Sequence, residues 1–583
     1  MTTTELARRF ALAIGLSLAA TAASAQDASP PSLSYGAVGG GSEGVQTGYA
    51  PGDQAGYGQA GDGQPDAGAY EAQAAPRERR RRRVEIAPYL EVSAGIAHEF
   101  GGETLTYATA AAGIDGRVET RRVTAVVSYR YDRSFDIDGN VGDQDQHSGI
   151  AQVSAQVVPG AVQLNAGAMA TRTSGQGRAI GIDQGDPAVN VYAGYVGPDI
   201  STRAGPVAIN ASYRLGYVAV DDDTVAGGTA EDYDSSISHS ASASVGMAPG
   251  QLPFGWTVGG GVVRSQDRGE FRGRLEGEYA RADVVVPLTS TFAVTGGVGY
   301  ERIRSSQRDV LRDGAGVPVV APGGRPVADP NAPRLLTYDV DGMIYDGGVI
   351  WRPSPRTELQ ARAGHRYGNT TVVGSFSHQF NQDYGVSAAV YDSVETFGNS
   401  LTSNLSNLPQ GIEVTRNPVT GDLGDCVFGQ TPGSGACLGR SLQSIRSGTF
   451  RARGGNLVFS GSRRLWSFGA GVAYDNRRYQ RPNDPAFDAF GGFRDESWTL
   501  FGNVGRQLSR SSDVNLNAYA SWYDSDEPGF NRVFSTGGTV SYSRSLLVDR
   551  LRLMAAIGIN HVDDGTDDST VASGVAGLRY TFW

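Results

Sequence analysis

Lysine is absent from this 583-residue chain, so arginine supplies all 50 basic residues. Cysteine occurs twice and histidine six times, too few and too scattered for a metal-ligand cluster. Long apolar runs are missing as well. Beyond the N-terminus nothing approaches the roughly 20 apolar residues that a spanning helix needs. Charged residues make up only 19%, and the net charge of −11 leaves no broad basic surface for nucleic acid. Glycine is what abounds, with 81 residues. Each glycine inside a helix costs about 0.5–1 kcal/mol relative to alanine, so long helices are disfavoured. A large membrane β-barrel has this composition.

Catalytic signatures are wanting too. The one Gly-x-Ser-x-Gly match, Gly40–Gly44 around Ser42, lies in a low-complexity stretch with neither the strand before it nor the helix after it that a nucleophile elbow needs. No His-Glu-x-x-His and no phosphate-binding Gly-Lys-Ser/Thr occurs. The sequence predicts no enzyme, no catalytic residue, no metal and no cofactor.

The chain opens on an export signal. Arg8 and Arg9 precede the apolar Phe10–Ala20, and Ala23-Ser24-Ala25 forms a small-residue cleavage motif before Gln26. Residues 1–25 therefore read as a signal peptide, and the mature chain reaches a compartment that permits disulfides. Gln26–Pro76 has no basic residue and few aliphatics, and is punctuated by Tyr35, Tyr49, Tyr57 and Tyr70. Such a segment cannot repay its ordering entropy, so residues 26–83 are predicted to be a disordered periplasmic tail. It ends in Arg77-Glu78-Arg79-Arg80-Arg81-Arg82-Arg83. That run either lies against anionic headgroups, at about 1 kcal/mol per arginine, or is a solvated boundary.

After Arg83 the period becomes two. Val514, Leu516, Ala518, Ala520 and Trp522 alternate with Asn515, Asn517, Tyr519, Ser521 and Tyr523. Val123, Ala125, Val127, Tyr129 and Tyr131 make another apolar row, opposite Thr124, Ser128, Arg130 and Asp132. Trp466, Phe468, Ala470, Val472 and Tyr474 make a third. Successive strand residues point to opposite faces, so each segment has one apolar and one polar side. The connections sort by parity. Pro159-Gly160, Pro287–Ser290, Arg352–Arg356, Gly461–Arg464 and Leu508–Ser512 are short. The alternate set is mostly longer: Asp136–Gln146, Ser174–Ala188, Asp221–Asp232, Ser306–Pro333, Asn399–Ser447 and Asp475–Asp495. Short periplasmic turns opposite long external loops predict an all-β fold, a transmembrane antiparallel β-barrel of about 22 strands over residues 84–583. Its place is the bacterial outer membrane, with lipid and lipopolysaccharide as neighbours and the N-terminal tail in the periplasm.

The last strand puts Ala576, Leu578, Tyr580 and Phe582 on one face. Gly577, Tyr580 and Phe582 resemble the C-terminal signal of bacterial outer-membrane barrels, which implies recognition by the barrel-assembly machinery. Trp583 departs from that pattern, since the aromatic usually ends the chain. The stretch Arg362-Ala-Gly-His-Arg-Tyr-Gly-Asn-Thr370, running into Ser375-Phe-Ser-His-Gln379, resembles a hairpin of the large barrels that accompany exopolysaccharide and exosortase-type gene clusters. That resemblance implies polysaccharide-export or other periplasmic partners, engaged through the tail. The strand number also invites comparison with TonB-dependent transporters. Those fold a plug before the barrel, and Gln26–Arg83 is too short and too polar to build one.

Charged rows mark candidate lumen residues. Arg272, Arg274, Glu276 and Glu278 share one face, as do Glu358, Gln360, Arg362 and Arg366, and so do Arg302 and Arg304. Arginine on the lipid face costs about 2–4 kcal/mol at the midplane, so these rows are expected to line the interior. There they either bridge one another or form a mixed conduit for polar or anionic solutes, since guanidinium grips carboxylate and phosphate in two-pronged fashion. Cys426 and Cys437 fall in the longest loop, expected outside, where a disulfide is worth roughly 3 kcal/mol. The acidic clusters at Asp221-Asp222-Asp223 and at Asp563-Asp564 with Asp567-Asp568 lack calcium-loop spacing and read as solvated loops. Two functions follow: a porin-like or polysaccharide-export conduit, or a non-conducting surface protein that displays the stapled loop.

Overall fold

The computed structural model describes residues 83–582, apart from 139–143, 176–187, 222–232, 322–325, 488–490, 548–549 and positions 410, 413, 425, 430, 529 and 567. The signal peptide, the tail before Arg83, and Asp222, Asp223 and Asp567 of the acidic clusters lie outside the described residues.

Twenty-two strands form one sheet, each antiparallel to its neighbours. The first, Arg83–Glu99, pairs with the last, Asp568–Thr581, from Tyr89↔Thr581 to Glu99↔Val571, and so closes the barrel. Closure removes the sheet edge, whose unpaired N–H and C=O groups lipid cannot satisfy. No helix among the described residues is long and apolar enough to cross a membrane. Gly577 sits opposite Ser93 at the seam, where a Cβ would come within 2.8 Å of the serine side chain. A bare backbone there lets the two terminal strands meet.

The connections alternate as the sequence predicts. Strands end at Glu119, Ala204, Arg463 and Ser509 and restart at Val123, Val207, Trp466 and Ser512. At the other rim the chain runs from Gln307 to Leu335, from Thr396 to Thr449 and from Tyr479 to Arg494 between barrel strands. The barrel begins and ends at the short-turn rim.

Side chains alternate across the wall. In Arg83–Glu99, Leu90, Val92 and Ile96 are exposed outward, whereas Tyr89, Glu91 and Ala97 are buried inward. Leu516 and Trp522 likewise face out and Ser521 and Tyr523 in. Two aromatic girdles bound the outward band. Near the short turns Phe380, Tyr384, Phe459 and Phe468 contact one another, beside Trp466. Toward the long loops Tyr474 meets Trp498 and Trp522 meets Phe534. From Trp466 to Tyr474 is about 26 Å of strand at ~3.3 Å per residue, comparable with the roughly 25 Å apolar band of such barrels.

Tyr580 and Phe582 are exposed on the outward face and contact each other edge to face. Replacing both by Asp puts two carboxylates on the lipid side of the closing strand. The double variant is expected to fail to accumulate as a heat-modifiable species in outer-membrane fractions. Normal levels would show that the terminal aromatics are dispensable for closure.

Candidate functional site

The lumen is occupied by the barrel's own chain. Between the strands Tyr384–Thr396 and Thr449–Arg463, residues 397–448 fold inward instead of projecting from the rim. Thr396 caps helix α1 (Phe397–Ser406), its hydroxyl accepting from the Asn399 N–H at 3.4 Å. Phe397, Leu401 and Leu405 recur every fourth residue, so they form one stripe of the helix. That stripe is almost fully buried against Ile150, Met169, Val191, Ala193 and Val218, an apolar sector of the inner wall. Each such side chain contributes about 1.5–3 kcal/mol by leaving water.

Beyond α1 comes a hairpin, Cys426–Phe428 with Gly435–Cys437, joined by the Cys426–Cys437 disulfide. The predicted pairing forms, but both sulfurs are buried inside the barrel rather than displayed outside it. The hairpin lies flat on the strand Trp466–Tyr479 because that strand offers glycine there. A Cβ on Gly471 would come within 2.9 Å of the Cys437 sulfur, and one on Gly469 within 2.5 Å of the Phe428 ring. The hairpin tip reaches the short-turn rim, where the Gly433 N–H donates to the Ser460 carbonyl at 3.1 Å and the Pro432 carbonyl abuts Gly385. The segment thus traverses the lumen from one rim to the other. A short helix, α2 (Gly439–Leu442), leads it back to Thr449.

Polar side chains fasten it. Arg416 donates to the Ser148 hydroxyl at 2.5 Å and to the Ser128 hydroxyl at 3.2 Å, both on the inner wall. Asp422 pairs with Arg172 at 3.4 Å and accepts from Gln146. At the long-loop rim Arg446 meets Glu527 at 2.6 Å and Asp495 at 3.6 Å. Burial opposes that charge, but Asp495, Tyr523 and Glu527 outweigh it and raise the pKa. The segment and the wall are sewn together by side chains, not by a main-chain ladder.

Of the predicted lumen residues, Glu358, Arg362 and Arg366 point inward and all are paired. Arg362 reaches Asp283 and Asp346, each at 3.0 Å, and Arg281 meets the same two carboxylates at 2.6 and 2.8 Å. Arg366 lies 3.0 Å from Glu301, and Glu358 2.7 Å from Arg352. The others require correction. Arg274, Glu276 and Glu278 are exposed on the outward face of their strand, while Leu275, Gly277 and Tyr279, which alternate with them, are buried. Arg302 and Arg304 alternate likewise with buried Glu301 and Ile303. Register sets Glu276 beside Arg304 and Glu278 beside Arg302, and Asp339 lies 3.4 Å from Arg304. Arg272 is in an exposed turn outside any strand, at φ 45°. These strands run to 14, 16 and 20 residues, whereas about 9–11 span the hydrocarbon. Their ends stand beyond the core, where outward arginine costs only about 0–1 kcal/mol.

An outward apolar band between aromatic girdles, around an inner wall of paired charge, places the barrel. The chain is an outer-membrane β-barrel. No protein-family model matches it, and no curated protein does. Among solved structures, the FrpB iron transporter of Neisseria meningitidis is 10% identical over 85% of this chain and 82% of its own, with a TM-score of 0.42. The alcaligin outer-membrane receptor FauA of Bordetella pertussis is 12% identical over 86% and 77%, with a TM-score of 0.37. The copper transporter OprC is 11% identical over 85% and 81%, at 0.40. At such values these likenesses bear on neither solute nor partner. No group of histidine, cysteine and carboxylate side chains suited to a metal occurs among the described residues.

Gly471→Leu tests the seating of the hairpin. The leucine needs the space the disulfide occupies, so the hairpin is expected to lift from the wall. After mild reduction Cys426 and Cys437 should then alkylate faster than in the parent barrel. Equal alkylation rates would show that the hairpin does not rest on that strand.

Proposed function

We propose that the chain is an outer-membrane conduit for polar or anionic solutes, held closed by its own residues 397–448. The observation that carries this reading is the attachment of that segment. Thr396 and Thr449 are paired in the ladder, so the whole insertion hangs from one point of the long-loop rim. Leaving the lumen would cost it side-chain contacts and the Gly433–Ser460 main-chain hydrogen bond, but no barrel strand. The inward arginine and carboxylate pairs support this reading by making the inner wall polar, although each charge there is matched by a partner. An exported polysaccharide is the solute that the Arg362–Gln379 resemblance implies. We place the short-turn rim and the N-terminal tail in the periplasm, where the tail would meet export partners. The reading as a displayed, stapled surface loop finds no support, since the stapled hairpin is inside.

Joining Thr396 to Thr449 through a two-residue Asn-Gly turn deletes the segment while keeping the hairpin register. In planar bilayers the parent is expected to conduct weakly and the deletion variant several-fold more. A deletion variant that assembles normally and still does not conduct would sink the conduit reading.

Orientation has its own test. The excursion between Gln307 and Leu335 carries an exposed turn at Asp313–Val317, whereas residues 397–448 are mostly buried. Protease added to intact cells should cut the excursion and spare the segment. Cleavage of the N-terminal tail from outside would reverse the assigned topology.

A further inference from the structure

Between the in-folded segment and the wall lies a cavity of 160 Å³, well above the roughly 10–15 Å³ that one water needs. We infer that this cavity is a binding site for a saccharide of about one ring. The inference goes beyond the conduit reading, because binding requires no passage.

One side of the cavity is polar and comes mainly from the barrel. Tyr519 and Ser521, Thr539 and Asn560 face it from three consecutive strands, and Gln443 faces it from the segment. The Tyr519 hydroxyl donates to the Asn560 side-chain oxygen at 3.1 Å. Ser521 Oγ, Thr539 Oγ1 and Gln443 Oε1 are buried with no hydrogen-bond partner among the described residues. These three residues are only 4, 6 and 8% exposed, so bulk water does not reach them freely. Buried oxygens left unmatched are costly, and they disfavour an apolar occupant. The other side is apolar: Met169, Val427, Leu438 and Leu442 line it, with the Phe501 ring nearby. A pyranose has the matching chemistry, a C–H face and a rim of hydroxyls that both donate and accept.

Charge leaves the ring's own charge open. Arg172 and Asp422 line the cavity as a pair, and Arg416 donates to the neutral Ser128 and Ser148 hydroxyls. Arg172 Nε has no partner among the described residues, so a carboxylate on the ring would meet two guanidinium groups as well as Asp422.

The test is titration calorimetry of the full-length protein in a detergent without a sugar headgroup. Glucose, galactose and N-acetylglucosamine are compared with glucuronate. At least one of the four is expected to bind saturably. Thr539→Val and Ser521→Ala should each weaken binding roughly threefold to tenfold, the loss of one neutral hydrogen bond, with heat-modifiable mobility unchanged. Gln443→Met removes an oxygen from the segment side and should act alike if a wall variant fails to assemble. No binding by any of the four sugars, which leaves a cavity that holds water only, overturns the inference. So do unchanged affinities in the three variants. Sugar binding by a barrel that never conducts would leave this site standing and remove the conduit.

Discussion

Every other feature here depends on one constraint, the need to pair each backbone polar group where water is missing. Lipid offers no partner, so strands must find one another around a closed circle. Closing 22 of them sets the circumference, and the circumference sets a lumen far wider than side chains alone can fill. The interior therefore holds either water or more chain. This protein uses chain, supplied by a loop between two adjacent strands.

The choice of a loop has energetic consequences. Because Thr396 and Thr449 are ladder partners, the segment is held at both ends and its docking is intramolecular. Its apolar stripe has to find an apolar patch inside an otherwise polar wall, and Val191, Ala193 and Val218 provide one. The remaining inner wall solves a different problem. Arg281, Asp283, Asp346 and Arg362 sum to zero charge, and each contacts an opposite charge within 3.0 Å. Such a set is weak evidence for stability, because desolvation offsets much of the attraction. It is strong evidence for mutual dependence, since removing one member leaves a buried charge uncompensated, at about 3–5 kcal/mol.

The wall was legible from period-two alternation because that signal is local and repeated. Rows such as Val514 to Trp522 identify one face without knowledge of any partner. Parity assigns residues to a common face, however, and is silent on which face looks inward. The assumption that charge must face the lumen decided that question. It held for Arg362, well inside its strand's span, and failed for Glu276 and Arg304, which sit past the hydrocarbon. The in-folded segment was missed for a related reason. Loop length alone suggested display, yet Phe397, Leu401 and Leu405 carry a helical apolar period that a solvated loop has no use for. Paired with the inward apolar positions of Val189–Ala204, that stripe was a readable signal for a loop with a core to enter. Arg416 gave no such signal, because its partners Ser128 and Ser148 lie far back in the sequence.

Glycine ties these levels together. Abundant glycine first argues against helices, but in the structure its use is positional. At Gly577 it lets the closing strands meet, and at Gly469 and Gly471 it lets a disulfide-linked hairpin lie on the wall without a gap. At Gly385 the wall backbone meets the backbone of Pro432, so neither side chain nor water intervenes at the foot of the segment. A wall of larger residues at these points would hold the hairpin off by the thickness of a side chain. The seating of the segment is thus written into the barrel strands as much as into the loop.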